Sequence, residues 1–204
     1  MKFKMPNNVR LTYFNLRARG EPCRLLLAYG GVKYEDTRIP YPPDVQWTRM
    51  KPKTDFGQLP ILNWGGVEIC QSMACARFIA REVGLAGKTS MEQAQVDEIV
   101  DIIQDLYNAW LKFFLAKDQA GLKNFNDVTL PTNLGMLEKK LVSRGGQFLV
   151  GNALSWADLH VFWYLGDLDN SAISKFPKLV NLCARVGSLP NIKAWVDSRP
   201  KTAV

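Results

Sequence analysis

Apolar positions along the chain change period part-way, from two to about 3.6. In VRLTYF, residues 9–14, apolar and polar side chains alternate among β-prone types, which predicts a strand. From Arg19 to Tyr29, Pro22 sits where a first helical turn tolerates proline, and a leucine-rich run ends at Gly30-Gly31, so a helix is predicted. Lys33 to Ile39 predicts a second short strand, and a strand–helix–strand unit of this size implies a right-handed crossover and a parallel pair. Residues 61–63 and 67–70 flank Trp64-Gly65-Gly66, a hairpin signal. Ser72 then opens a helix with Met73, Ala76, Ile79, Ala80 and Val83 along one face and Gly84 after it.

From Ser90 onward the strand signals stop. Ser90-x-x-Gln93 has the capping-box pattern, and Val96, Ile99, Val100, Ile103, Tyr107, Trp110 and Phe114 follow at helical spacing. Leu134, Leu137 and Leu141 predict another helix, Ser155-x-x-Asp158 precedes an apolar stretch, and Pro177 and Pro190 begin two short terminal helices. The linker composition of GLAGKT, residues 84–89, places a domain boundary near residue 85. The expected architecture is an α/β layer domain over residues 1–84 and an all-α domain over residues 85–204.

Composition narrows the class. The chain has 204 residues, 47% apolar and 22% charged, which excludes a disordered or collagen-like protein. No run approaches the roughly 20 apolar residues of a membrane helix, and MKFKMPNNVR lacks the apolar segment of a secretory signal. Four cysteines without C-x-x-C, beside one histidine, argue against a zinc site or a disulfide framework, so a cytoplasmic protein with reduced thiols is expected. The net charge of +7 comes from scattered lysines and arginines, which suits a small anionic ligand better than nucleic acid.

Three places carry chemistry. In FGQLPI, residues 56–61, a cis Leu59–Pro60 bond would turn the Leu59 N–H and C=O toward an extended peptide ligand, whereas a trans proline would merely begin an edge strand. Gln71-Ser72 stands at a strand-to-helix junction, where unpaired N–H groups and the helix dipole suit a carboxylate; Ser72 would also serve as the N-cap. Tyr13 ends the first strand, where open α/β sheets place their ligands, and a phenol there could hydrogen-bond a thiolate or simply pack beside Phe14.

Together LTYFNLRARGEPCRLLLAYG, FGQLPIL, CQSMACARFIARE, TSMEQAQVDEIVD and GNALSWADLHVF resemble the glutathione transferases, the sigma class in particular, in order and at matching spacing from about Val9 to Pro200. That class includes invertebrate detoxifying enzymes and the haematopoietic prostaglandin D synthases. The resemblance implies a thioredoxin-like N-terminal domain that binds glutathione as co-substrate, and a helical domain that contributes the electrophile site. It also implies a homodimer, while the composition and spacing above lead to no metal, membrane or nucleic-acid partner being expected.

Residue by residue, Tyr13 matches the tyrosine that stabilises the glutathione thiolate, Arg19 the arginine beside the thiol, and Trp47 and Lys51 the pair holding the glycine carboxylate. Gly57, Gln58 and Leu59 match the segment that pairs with the tripeptide backbone, with Pro60 as the cis-proline. Gln71 and Ser72 match the γ-glutamyl carboxylate site, and Asp105 the acid reaching the neighbouring subunit's γ-glutamyl amine. A thiol with an ordinary pKa near 8.5 is only a few per cent ionised at pH 7, so lowering it by about two units makes most of it the nucleophilic thiolate.

Several features depart from the family pattern or leave it open. The family reads R-G-R-A-E where this chain has Arg17-Ala18-Arg19-Gly20-Glu21, and Pro40-Tyr41-Pro42-Pro43 lengthens the loop before Trp47. Phe56 stands where some classes insert an aromatic key into the partner; an aromatic covering its own sheet is the alternative. Cys23, Cys70 and Cys75 read as core thiols and His160 as structural. Gln104 interrupts the acidic Asp101–Asp105 spacing, so no metal is predicted. Phe14, Tyr107 and Trp110 are the candidates to line the electrophile pocket. The expected activity is conjugation of glutathione to small hydrophobic electrophiles, lipid-peroxidation aldehydes among them. The alternatives are a glutathione-dependent prostaglandin D isomerase and a non-catalytic crystallin-like or ligand-carrying descendant.

Overall fold

A computed structural model describes residues 6–202. The chain divides into two compact units: residues up to Leu85 together with Pro190 onward, and Ala86–Leu189. The sequence division at 84/85 gave the terminal segment to the second unit; the structure groups it with the first.

In the first unit, β1 (Val9–Phe14) lies inside a four-stranded sheet of order β2-β1-β3-β4. It pairs parallel with β2 (Glu35–Ile39) and antiparallel with β3 (Ile61–Trp64), which forms a hairpin with β4 (Val67–Cys70). Because β1 is an inner strand, Leu11, Thr12 and Tyr13 are all buried, not only the alternate apolar positions. Leu11 and Leu62 of the sheet, Leu25 and Leu27 of α1 (Glu21–Tyr29), and Ile79 of α3 (Ser72–Glu82) form the core. Each such side chain contributes roughly 1.5–3 kcal/mol by burial. This is the thioredoxin-like arrangement, with its expected parallel β1–β2 pair. The helix expected from Arg19 is shorter: a 3-10 turn, Ala18–Gly20, precedes α1.

The loop before Trp47 contains an element that the sequence reading lacks. Asp44 caps α2 (Val45–Met50), its carboxylate accepting from the backbone N–H groups of Gln46 at 2.8 Å and Trp47 at 3.4 Å. A 3-10 turn, Lys51–Lys53, continues it.

The second unit is helical. It holds α4 (Ser90–Leu115), α5 (Gln119–Asn124), a π-helical turn (Phe125–Thr129), α6 (Leu130–Ser143), α7 (Trp156–Gly166), α8 (Asn170–Ile173) and α9 (Pro177–Gly187). Almost every residue of α7 is buried, which makes it the central helix of this unit. Its capping box is present as read: Asp158 accepts from the Ser155 N–H at 2.8 Å, and also from the Leu149 N–H at 2.9 Å. The α4 cap lies one residue earlier than the Ser90–Gln93 reading. Thr89 is the last extended residue, its hydroxyl accepts from the Glu92 N–H at 3.1 Å, and Glu92 accepts from the Lys88 N–H at 2.7 Å. A last helix, α10 (Pro190–Ser198), returns to pack on α1 within the first unit.

Candidate active site

Tyr13 sits one residue before the C-terminal end of β1, 6% exposed. Its hydroxyl accepts a hydrogen bond from the backbone N–H of Arg19 at 3.3 Å. The chain reaches that position through a tight turn, in which the Arg17 carbonyl accepts from the N–H groups of Gly20 and Glu21 and Ala18 takes φ +29°. Gly20 lies directly against the ring: a Cβ there would stand 2.5 Å from Tyr13 Cδ1. The exchanged alanine and glycine of Arg17–Glu21 therefore have opposite demands, with Ala18 at a left-handed position and Gly20 where a side chain has no room.

Phe14 is the centre of an aromatic cluster, its ring 5.7 Å from Tyr13, 5.7 Å from Tyr41 and 5.5 Å from Trp47, all edge-on. Trp47 and Lys51 line an open cavity of about 630 Å³ with Thr48, Pro52, Thr54 and Gly57. Gly57 takes φ +61°, and the aliphatic stem of Lys51 covers it, with Cε 3.5 Å from where a Cβ would stand. The Leu59–Pro60 bond is cis, and Pro60 is buried immediately before β3. Gln58 is exposed and accepts from Gln71 Nε2 at 3.3 Å, joining the two segments.

Gln71 takes φ 72°, an uncommon left-handed value for a side-chain residue, and is the N-cap of α3. Ser72 is the first helical residue, 7% exposed, rather than the cap expected of it. The Gln71 side chain makes no capping bond, so the first-turn N–H groups and the positive end of the dipole face outward to an anion. The first unit thus brings together Tyr13, Arg19, Trp47, Lys51, Gly57, Gln58, Leu59, Pro60, Gln71 and Ser72. Thr48 and Thr54 of the cavity wall escaped the sequence reading, although KPKT directly after α2 marked the spot.

The remaining candidates belong to the second unit. Asp105 is exposed on α4, as is Asp101 one turn earlier. Gln104 faces inward, 8% exposed, with its Nε2 3.1 Å from His160 Nε2. Tyr107 and Trp110 are half-buried; Tyr107 packs 5.2 Å from Trp163, and Trp110 stacks on Phe114 at 4.9 Å. Trp163, 3% exposed, is the member of this aromatic group that helical spacing on α4 could not reveal. His160 is 1% exposed, and burial lowers its pKa to about 3, which keeps the imidazole neutral.

The cysteines are poor nucleophiles. Cys23 and Cys75 are buried, and burial pushes the thiols of Cys75 and Cys183 up to about 12. Cys70, expected in the core, is only half-buried at the end of β4. Among the described residues no group of three or more His, Cys, Asp or Glu side chains could hold a metal ion, and no helix is long and apolar enough to cross a membrane.

Residues 9–81 match the family described as glutathione S-transferase, N-terminal domain, and residues 104–199 match glutathione S-transferase, C-terminal domain. The chain belongs to the glutathione S-transferase family. It is 43% identical to haematopoietic prostaglandin D synthase of Gallus gallus, over 98% of this chain and 100% of that one. It is 39% identical to glutathione S-transferase 1 of Ascaris suum, over 95% and 97%. Among solved structures, the rat haematopoietic prostaglandin D synthase complexed with a quinoline matches with a TM-score of 0.87 and 33% identity, over 97% of this chain and all of that one.

Proposed function

We propose that this protein is a sigma-class glutathione transferase whose site activates the glutathione thiol and presents the thiolate to small hydrophobic electrophiles. The observation that carries the reading is the Arg19 N–H held on the Tyr13 hydroxyl, which orients the phenol at the end of β1. A phenol so placed donates to a thiolate and favours the ionised sulfur. The other groups have the chemistry that the rest of the tripeptide requires. Lys51 and Trp47 take the glycine carboxylate, and the cis Leu59–Pro60 segment with Gly57 and Gln58 offers backbone groups to the extended peptide. Gln71, Ser72 and the open end of α3 take the γ-glutamyl carboxylate, with Arg19 beside the sulfur.

Turnover needs no protein nucleophile. The thiol gives its proton to solvent and the sulfur attacks the electrophilic carbon. In a substitution the leaving group departs with its bonding electron pair, and in an addition to an activated alkene the resulting carbanion takes a proton from water. We assign Phe14, Tyr107 and Trp110 as the aromatic side chains for the second substrate, with lipid-peroxidation aldehydes as the candidate class.

We assign the active form as a cytoplasmic homodimer in which Asp105 meets the γ-glutamyl amine of the partner's ligand. Phe56 is 66% exposed in the single chain, which supports a key between subunits over an aromatic laid on its own sheet.

The test is conjugation of glutathione to chlorodinitrobenzene by wild type and Tyr13→Phe, with both checked for folding. One hydrogen bond to a charged sulfur is worth about 1.5–3 kcal/mol, so kcat falls roughly 10–100-fold while glutathione affinity changes little. Binding of glutathione without turnover in either protein turns the assignment to a carrier. A second reading, isomerisation of prostaglandin H, rests on the 43% identity to the chicken synthase. Formation of prostaglandin D by wild type, with chlorodinitrobenzene hardly turned over, would favour it.

A further inference from the structure

Behind the Tyr13 turn lies a charged network that the chemistry above does not use. Glu21 and Arg24, on successive turns of α1, are 1% and 0% exposed, with Arg24 NH1 3.5 Å from Glu21 Oε2. The other carboxylate oxygen, Glu21 Oε1, accepts from Trp195 Nε1 at 2.8 Å and from Arg199 at 2.7 Å. Trp195 belongs to α10 and Arg199 follows it, and Asn191 at the start of that helix donates to the Tyr29 carbonyl at 3.2 Å, so α10 is fastened to both ends of α1.

Arg24 in turn grips the loop after Tyr13. Its NH1 donates to the Leu16 carbonyl at 2.6 Å and its NH2 to the Phe14 carbonyl at 3.5 Å. Its guanidinium carbon lies 5.8 Å from the centre of the Tyr13 ring. Asp36 on β2 accepts from Arg24 Nε at 3.1 Å and also pairs with Arg38, which donates to the Asn15 side chain at 3.1 Å.

Stability alone does not explain such an arrangement. A buried ion pair is often matched or bettered by apolar side chains of the same volume. No apolar pair, however, can donate to two backbone carbonyls of one turn. We propose that Glu21 and Arg24 are positioning residues for Tyr13, locked by Trp195 and Arg199, so that the C-terminal helix controls how well the site stabilises a thiolate. The proposal deepens the transferase reading and rests on it for its ligand-bound readout.

Two variants test it: Trp195→Phe, which keeps an aromatic ring, smaller than the indole, and removes the N–H, and Arg199→Gln, at a side chain 21% exposed. In each, thiolate absorbance of bound glutathione should titrate about half a unit higher than in wild type, an approximately threefold loss of thiolate below the midpoint. kcat should fall by about the same factor while KM for glutathione stays within twofold, and Arg199→Lys should recover part of the loss. In the ligand-free protein, the Arg19 amide resonance should move and its hydrogen exchange speed up about tenfold.

If the folded variants titrate and exchange as wild type does, the network is structural only and the proposal falls. If wild type raises no thiolate band with glutathione, the transferase reading is what has failed, and the Arg19 amide decides the network by itself. Should Trp195→Phe not fold, Arg199→Gln gives the same two readouts.

Discussion

The backbone N–H of Arg19 donates to the hydroxyl of Tyr13 across six residues, and the turn that makes this possible sets a left-handed alanine beside an obligatory glycine. The order Ala18-Arg19-Gly20 inverts the family's glycine and alanine, yet the loop still reaches the tyrosine. In this chain the residue before Arg19 bears the positive φ and the residue after it bears the steric limit.

That relationship can be tested from both sides. In Gly20→Ala the new Cβ meets Tyr13 Cδ1 at 2.5 Å, so the ring must shift. Overpacking of this kind costs about 1–3 kcal/mol of stability, and kcat should fall well beyond that of a neutral surface change. Ala18→Gly relieves about 1–2 kcal/mol of left-handed strain and adds up to about 1 kcal/mol of unfolded-state entropy. Denaturant titration should therefore find it stabilised by about 0.5 kcal/mol, with activity kept.

The sequence carried the period-two strands, the hairpin and the long helices because these are local signals. β1 was legible to the residue, and the parallel pair followed from chain handedness. What escaped depended on short range or on distance. The helix α2 is only six residues long and held by Asp44, too short for periodicity to register. The α4 cap slipped by one because Thr89 and Ser90 are both good caps and only backbone extension at Thr89 separates them. In the first unit, Tyr13, the Leu59–Pro60 segment and Gln71-Ser72 stood out from local motifs and Arg19, Trp47 and Lys51 from the family resemblance, whereas Thr48, Thr54 and Gly20 did not. The role of Gly20 comes from contact with Tyr13, which no spacing rule contains. Likewise Arg24, within a leucine-rich helix, gives no sign in sequence that it holds the carbonyls of Phe14 and Leu16.

Lys51 should act mainly through its charge. Its stem covers Gly57 and its ammonium is exposed at the cavity edge, so Lys51→Met keeps the packing and removes the cation. KM for glutathione should rise several-fold with kcat nearly unchanged. Wild-type affinity should weaken as salt rises, and the variant should lose most of that dependence. Equal salt dependence in the two proteins would put the carboxylate elsewhere.

Asp158 fastens the N-terminus of α7 to the preceding loop through three hydrogen bonds, from the N–H of Leu149, the N–H of Ser155 and the Ser155 hydroxyl. Asp158→Ala removes the cap and strands buried donors, at a cost of about 2–4 kcal/mol. In a chain of this length that corresponds to a fall in Tm of roughly 5–15 °C. Asp158→Asn retains an acceptor but replaces the second with a donor, so it should lie between alanine and wild type in thermal unfolding. A variant as stable as wild type would show that packing, not the cap, holds α7 in place.

His160 gives the second unit a pH dependence whose sign follows from its burial. The ring is neutral with a pKa near 3 in the folded protein, against 6.5 for the unfolded chain. Between those values the unfolded state binds more protons, so stability is complete above pH 6.5 and is lost as pH falls toward about 3, by up to about 1.4 kcal/mol per unit. Either orientation of the Gln104 amide gives this result, because one ring nitrogen serves as donor or acceptor in the neutral form. Replacing His160 alone would leave Gln104 buried without its partner, so the informative variant is Gln104→Leu with His160→Phe. Urea unfolding from pH 7 to pH 4 should show a steeper loss of stability in wild type than in the double variant, the two curves separating below pH 6.5. Parallel curves over that range would mean that the imidazole finds water or another acceptor when it is protonated, and that carboxylates alone set the acid limit of this protein.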